Sequence, residues 1–320
     1  MKDGRFRMKK VGAAAGLMVV AVAIGTSISM RTAAKETPRP KIIGIAHVDI
    51  LTTNEKKGND FYYGVMKALE ARVDSEPCHW CEGAPIRGTY PLDLKVVKGR
   101  LPSDLIVSVT FQTDDVEVLR KYLKQKGVHV GSLKETTDGK SFSVSDPEHH
   151  IVIFLQRQPP DSLSQAGFPG AYASPPRWPP LIHMGWVVKD RGAMDKFYRD
   201  VLGFHLYWQG GMKDDRVDWV SMQVPDGTDW IEYMLNIPDN ADKHLLGVMN
   251  HIALGVPSVR EAAEQLKKNG MKLTEEPKIG RDGKWQLNLY DPDDTRVELM
   301  EFTPVEKPCC SEFTGTHPKP

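Results

Sequence analysis

Two histidines and two glutamates stand where the sequence otherwise reads as buried strand. His183 in LIHMGWV and His251 in NHIALGV each lie inside an apolar run, and Glu232 in DWIEYML and Glu298 in TRVELMEF are flanked by aliphatic or aromatic residues. A lone strand histidine is most often a core residue bonded to a carbonyl. A buried carboxylate, however, is costly unless it is paired or binds a metal. Four such residues at matching places in two repeated segments ask for one common cause, and a divalent metal is the simplest. Two neutral imidazoles and two carboxylates balance a 2+ charge and leave octahedral positions open for water or substrate oxygens. Nitrogen and oxygen donors without thiolate suit Ni, Zn or Co, and admit Fe(II) or Mn.

The elements that must position these residues form an internal repeat. DDVEVLRKYLKQKGVHV and PSVREAAEQLKKNGMKL both read as short amphipathic helices: Val116, Leu119 and Leu123 match Val259, Ala262 and Leu266, and each helix stops at a glycine, Gly127 or Gly270. Each continues into an Asp-Pro strand segment, SDPEHHIVIFLQ at 145–156 and YDPDDTRVELMEF at 290–302. The two histidines are 68 positions apart and each opens a strand, turn, helix, strand sequence. The spacing predicts four βαβββ modules, at roughly 41–100, 104–156, 180–237 and 248–303. Side chains alternate across a strand, so all four candidate residues can face one concavity of curved mixed sheets in an α+β fold. His149 and His150 fall in an expected turn and are read as exposed.

The rest of the 320-residue chain bounds the function. Its 42 basic and 42 acidic residues balance, which gives no support to a nucleic-acid partner. MKDGRFRMKK precedes an uncharged apolar run, so residues 1–34 read as a signal peptide or an N-terminal membrane anchor, and the protein as exported, periplasmic or extracellular. Residues 158–179, rich in Pro, Gly and Ser, read as a linker. Cys78 and Cys81 in CHWC, with Cys309 and Cys310 in the tail 304–320, read as disulfide formers, for example tail to N-terminal domain, with the pairing left open.

With these motifs in order, residues 180–303 resemble the vicinal oxygen chelate superfamily, bacterial glyoxalase I in particular. His183 to Glu232 is 49 positions, Glu232 to His251 is 19, and His251 to Glu298 is 47. The resemblance implies tandem domains, a degenerate one at 41–157 and a metal-binding one at 180–303. It implies that His183, Glu232, His251 and Glu298 ligate one divalent metal. It also implies lyase or isomerase chemistry, in which a substrate chelates the metal through two vicinal oxygens and a carboxylate shuttles the proton. Glu298 is the first choice of base and Glu232 the second. Asn236 stands where the family holds glutathione, and the small-molecule substrate would be a thiol adduct of an α-oxoaldehyde. Four modules in one chain allow a monomer as well as a homodimer.

Departures keep rivals in view. The family's glutathione-binding arginine is replaced by Val187, and the basic residues Lys189, Lys278 and Arg281 are read first as solvated surface charges and second as its substitutes. In the N-terminal pair, His47 occupies the first ligand position, but Ser108 and Ile153 fall where His251 and Glu298 would be. Extradiol dioxygenases of the same superfamily use two His and one carboxylate for Fe(II), which His183, His251 and Glu298 could supply. Their tyrosine is Asn288 here, with Tyr290 two residues away. A non-catalytic small-molecule-binding protein is the third reading.

Overall fold

The computed structural model describes residue 1 and residues 37–69, 92–97, 105–136, 138–158 and 179–320. The N-terminal apolar run, the CHWC motif and nearly all of the expected linker lie outside the described residues. Among the described residues no helix is long and apolar enough to cross a membrane.

Two curved mixed sheets carry the fold. The first contains β1 (Ile42–Thr52), β2 (Leu92–Val96), β3 (Ile106–Thr113), β4 (Lys134–Thr136), β5 (Gly139–Ser145) and β6 (Ile151–Arg157), in the order β2-β1-β3-β6-β5-β4. The second contains β7 (Leu181–Val187), β8 (His205–Gly210), β9 (Trp219–Gln223), β10 (Trp230–Met234), β11 (His251–Val256), β12 (Lys278–Ile279), β13 (Trp285–Tyr290) and β14 (Arg296–Glu301). Its order is β12-β13-β14-β11-β7-β10-β9-β8. The build is that of paired βαβββ units. In each βαβββ unit the first strand runs parallel to the last, as in β3/β6, β7/β10 and β11/β14. Two units then join through their first strands, antiparallel, as β1/β3 and β7/β11.

The helices are short and capped as the sequence implies. α1 (Glu55–Ala68) follows β1, and α2 (Val116–Gln125) starts at Asp115, whose carboxylate accepts the Val118 N–H. α3 (Arg191–Asp195) continues as a π-helical turn over Lys196–Val201, and α4 (Lys243–Met249) precedes β11. α5 (Val259–Lys268) starts at Ser258, which accepts the Glu261 N–H. Gly127 and Gly270 terminate α2 and α5 at φ of 80° and 85°, where a Cβ would be strained. The matched helix positions Val116, Leu119, Leu123, Val259, Ala262 and Leu266 are all buried.

The two sheets lock together reciprocally. Tyr62 on α1 donates its hydroxyl to Asp291 at 3.0 Å, and Tyr198 in the π-turn donates to Asp146 at 3.2 Å. These carboxylates belong to the two Asp-Pro turns. Asp293 accepts from the Thr52 hydroxyl at 2.7 Å and the Thr53 N–H at 2.9 Å, while Glu148 accepts the Lys189 and Asp190 N–H groups at 2.7 and 2.6 Å. The first unit thus packs on the fourth and the second on the third. This corrects one expectation: His150 is not solvated. It stacks on Trp186 with centroids 4.0 Å apart, and its Nδ1 lies 2.8 Å from Asp146, because the Asp-Pro turn is at the junction. His149 is exposed, at φ 72°.

Candidate metal centre

The four sequence candidates converge on the concave face of the second sheet. β7 supplies His183, β10 Glu232, β11 His251 and β14 Glu298, four adjacent strands in the order β14-β11-β7-β10. The register brings them level: His251 lies opposite Gly185, and Gly185 opposite Glu232 on the other side, while Ala253 lies between His183 and Glu298. The two imidazole Nε2 atoms are 3.1 Å apart. Oε2 of Glu298 is 3.6 Å from His183 Nε2 and 3.8 Å from His251 Nε2, and Oε2 of Glu232 is 3.4 Å from His251 Nε2. Ligands bound at about 2.0–2.2 Å stand about 3 Å apart when cis, so this spread fits the edges of one coordination polyhedron.

Protonation states fit as well. His251 Nδ1 lies 2.8 Å from the Met249 carbonyl, which can only accept, so Nδ1 carries the proton and Nε2 presents its lone pair to the centre. Burial, then the Arg296 charge, hold its pKa below the usual imidazole range. Burial alone would raise the Glu298 carboxyl, but hydrogen bonding to His183 and the charge of Arg296 outweigh it and hold it at about 2. Glu232 is also lowered, the neighbouring His251 and His183 rings outweighing its burial. Neutral imidazole beside ionised carboxylates is the donor state a divalent cation requires.

The surrounding residues fix these four. His183 stacks on Trp230, centroids 4.6 Å apart, and its Nδ1 is buried without a hydrogen-bond partner among the described residues. Ser221 on β9, opposite Glu232, donates its hydroxyl to Glu232 Oε1 at 3.3 Å, leaving Oε2 toward the centre. The carboxylates differ in access: the Glu232 side chain is 14% exposed and that of Glu298 4%. His183, His251 and Glu298 alone form a tight trio, with one donor atom from each within 4.8 Å of the others.

Sequence reasoning missed Ser221, Trp230 and Gly185. The last two carried a readable signal, each standing two residues from a candidate ligand on the same strand face. Asn236 is brought near but is engaged elsewhere: in a left-handed conformation, φ 61°, its amide donates to the Val217 carbonyl and to Asp218. Lys189 is paired with Asp239, Lys278 with Glu275, and Arg281 with Asp214. Asn288 lies directly opposite Glu298, and its amide donates to Glu275 at 3.0 Å. Tyr290 lies opposite Arg296 and donates its hydroxyl to Glu275 at 2.7 Å.

The equivalent place in the first sheet is built differently. By register Asp49 stands where Gly185 does, Ser108 where His251 does and Ile153 where Glu298 does. Asp49 accepts from the Ser108 hydroxyl at 2.5 Å and pairs with the Lys95 ammonium, so an internal cation satisfies the carboxylate there. His47 is half-buried rather than core, with Nε2 at 3.2 Å from the Thr110 hydroxyl.

Comparison with known proteins bears on the family and the fold. Residues 181–299 match the Glyoxalase/Bleomycin resistance protein/Dioxygenase superfamily. Over 134 residues, 41% of this chain and 38% of the relative, the sequence is 25% identical to a probable chloroplastic lactoylglutathione lyase of Arabidopsis thaliana. The chain thus spans well under half the length of that relative. Homoprotocatechuate 2,3-dioxygenase from Arthrobacter globiformis superposes with a TM-score of 0.55 at 16% identity, over 83% of this chain and 81% of that one. A catechol 2,3-dioxygenase superposes with a TM-score of 0.56 at 14% identity, over 83% and 96%. At such identities these structures share the fold.

Proposed function

On the match of residues 181–299 to the glyoxalase/bleomycin resistance protein/dioxygenase superfamily, we propose a metal-dependent lyase or isomerase of glyoxalase I type. Its substrate is a small molecule that offers two vicinal oxygens, such as a thiol adduct of an α-oxoaldehyde. The observation that carries this reading is the convergence of four donors, two of them carboxylates, on one buried point.

His183, His251, Glu298 and Glu232 would hold one divalent ion, Ni, Zn or Co in first place and Fe or Mn after them. Bound there, the ion supplies Lewis acidity toward a chelated carbonyl pair. The chain's own residues do the rest. Met249 and Trp230 orient the two imidazoles. Glu298, enclosed beside His183, keeps its negative charge. Proton transfer at the carbon beside a carbonyl needs a carboxylate with access to substrate; the sequence ranks Glu298 first, whereas exposure favours Glu232, with Ser221 aiming its Oε2. Asn236 as a substrate contact would have to release the Val217 carbonyl. Val187 in place of an arginine leaves the thiol carrier to be found by assay.

The second reading is an extradiol-type dioxygenase using Fe(II), favoured by the tight His183, His251 and Glu298 trio and by the two-sheet layout shared with that fold. Against it stand Glu232, which fills a position dioxygen chemistry needs open, and the engagement of Tyr290 with Glu275. Binding without turnover is the third reading. The N-terminal pattern supports an exported or membrane-anchored protein, and the packing of four units within one chain supports a monomer.

Metal analysis by mass spectrometry on protein purified without added metal or chelator, followed by assays with α-oxoaldehyde and thiol mixtures and with catechols, tests the proposal. About one equivalent of Ni, Zn or Co with loss of the thiol adduct supports the lyase. Iron with oxygen uptake on a catechol replaces it by the second reading, and no metal even after reconstitution ends both.

A further inference from the structure

Beyond the metal ligands, the concave side of the second sheet holds an aromatic column that ends on the C-terminal tail. Trp230, stacked on His183, packs against Tyr207 with centroids 5.0 Å apart, and Tyr207 packs against Phe313 at 4.8 Å. The Tyr207 hydroxyl accepts from the fully buried Lys284 ammonium at 3.1 Å and reaches His317 Nδ1. The tail is also pinned along β8, the edge strand. The Trp208 indole N–H donates to the Cys309 carbonyl at 3.2 Å, and the Gln209 N–H to the Ser311 hydroxyl at 3.0 Å. The Thr314 N–H donates to the Tyr207 carbonyl at 2.9 Å, and the Gln223 amide to the Thr316 carbonyl at 2.8 Å. An edge strand exposes backbone groups that need partners, and the tail supplies several of them.

At the head of this segment Cys309 and Cys310 are joined to each other by a disulfide. This replaces the expectation of a tail-to-domain bridge for these two cysteines. Cys310 has φ 71°, in the left-handed region that disfavours residues with a Cβ. A ring closed between neighbouring residues fixes that backbone, and opening it lets Cys310 leave the left-handed region and re-aim the chain that follows. Arg281 marks the same spot, its guanidinium paired with Asp214 and 3.7 Å from Cys310 Sγ.

We propose that residues 309–317 are a strap closing the aromatic end of the cleft, and that the Cys309–Cys310 disulfide is its redox latch. Cys310 is exposed, so a small dithiol can reach it. The first thiolate attacks Cys310 Sγ, the S–S bond breaks, and the Cys309 thiolate takes a proton. The dithiol's second thiolate then displaces Cys310, whose leaving thiolate is stabilised by Arg281 and protonated in turn. Two electrons pass from the dithiol, which closes to its own disulfide, and two cysteine thiols remain.

The test is hydrogen exchange by mass spectrometry on the full chain with and without dithiothreitol, in the unaltered protein and in a Cys78→Ser/Cys81→Ser background where only the tail pair titrates. The expected result is no alkylatable tail thiol before reduction and two after it. Exchange of the 309–317 peptide should then speed up about tenfold while the β11 peptide is unchanged. Cys309→Ser/Cys310→Ser should exchange fast with or without reductant. Unchanged protection after both thiols appear, free thiols before reduction, or exchange rising equally through β7 and β11 would each overturn the latch. None of these readouts depends on a bound metal, so failure here is distinct from failure of the metal reading.

Discussion

Gly185 and His251 are matched across β7 and β11 so closely that the imidazole occupies the volume a side chain at 185 would take. A Cβ built on Gly185 would stand 2.2 Å from His251 Cε1 and 2.6 Å from Nδ1. His251 is placed by an absence two residues after His183, and at the equivalent place in the first sheet Asp49 is present instead.

Gly185→Ala should therefore displace the His251 ring from the centre. Overpacking of this kind costs about 1–3 kcal/mol, visible as a lower Tm, and the bound metal per chain should drop sharply. Parent-like metal content in Gly185→Ala would mean that His251 is not a ligand.

Glu232→Gln separates the two enzymatic readings. With four ligands it should lose both metal and turnover of the thiol adduct. If the trio of His183, His251 and Glu298 suffices, the variant keeps iron and takes up oxygen, and the lyase reading is gone. Ser221→Ala, which frees Glu232 Oε1, should weaken metal affinity by about 10-fold with little change in Tm.

The reciprocal tyrosine clamps predict paired stability losses. Tyr62→Phe and Tyr198→Phe each remove a hydroxyl donor from a buried aspartate, at about 1–3 kcal/mol apiece. The pairs share no partner, so the double variant should lose close to the sum, measured by urea unfolding. A negligible effect of either change would show that the Asp-Pro turns do not hold the units together.

Asp229 sets an alkaline limit. Burial pushes its carboxyl up to about 7, against the lowering effect of the Ile45 N–H that it accepts at 2.7 Å. The folded state binds this proton more tightly than the unfolded chain does. The contribution is thus full below the ordinary carboxylate pKa and lost as pH rises through about 7. Asp229→Asn should escape that loss, its Tm advantage over the parent widening from about pH 4 to about pH 8. A gap that stays constant or narrows would contradict the burial argument.

The sequence by itself determined the four units, the helix stops at Gly127 and Gly270, and the four polar residues in apolar strands, because strand alternation and helix caps are local. It also placed Ser108 and Ile153 as departures from the ligand pattern that His47 begins. What it could not supply depends on which strands become neighbours. The level alignment of His183, Glu232, His251 and Glu298 across β14-β11-β7-β10 is a matter of register. The room left by Gly185, the stacking of His150 on Trp186 and the engagement of Asn236 with the 217–218 loop arise only when distant segments pack. The tail shows the same limit: four cysteines give no pairing, and only the fold lays residues 309–317 along β8. Local patterns fix what each segment is; burial and register, which belong to the whole chain, decide what each side chain meets.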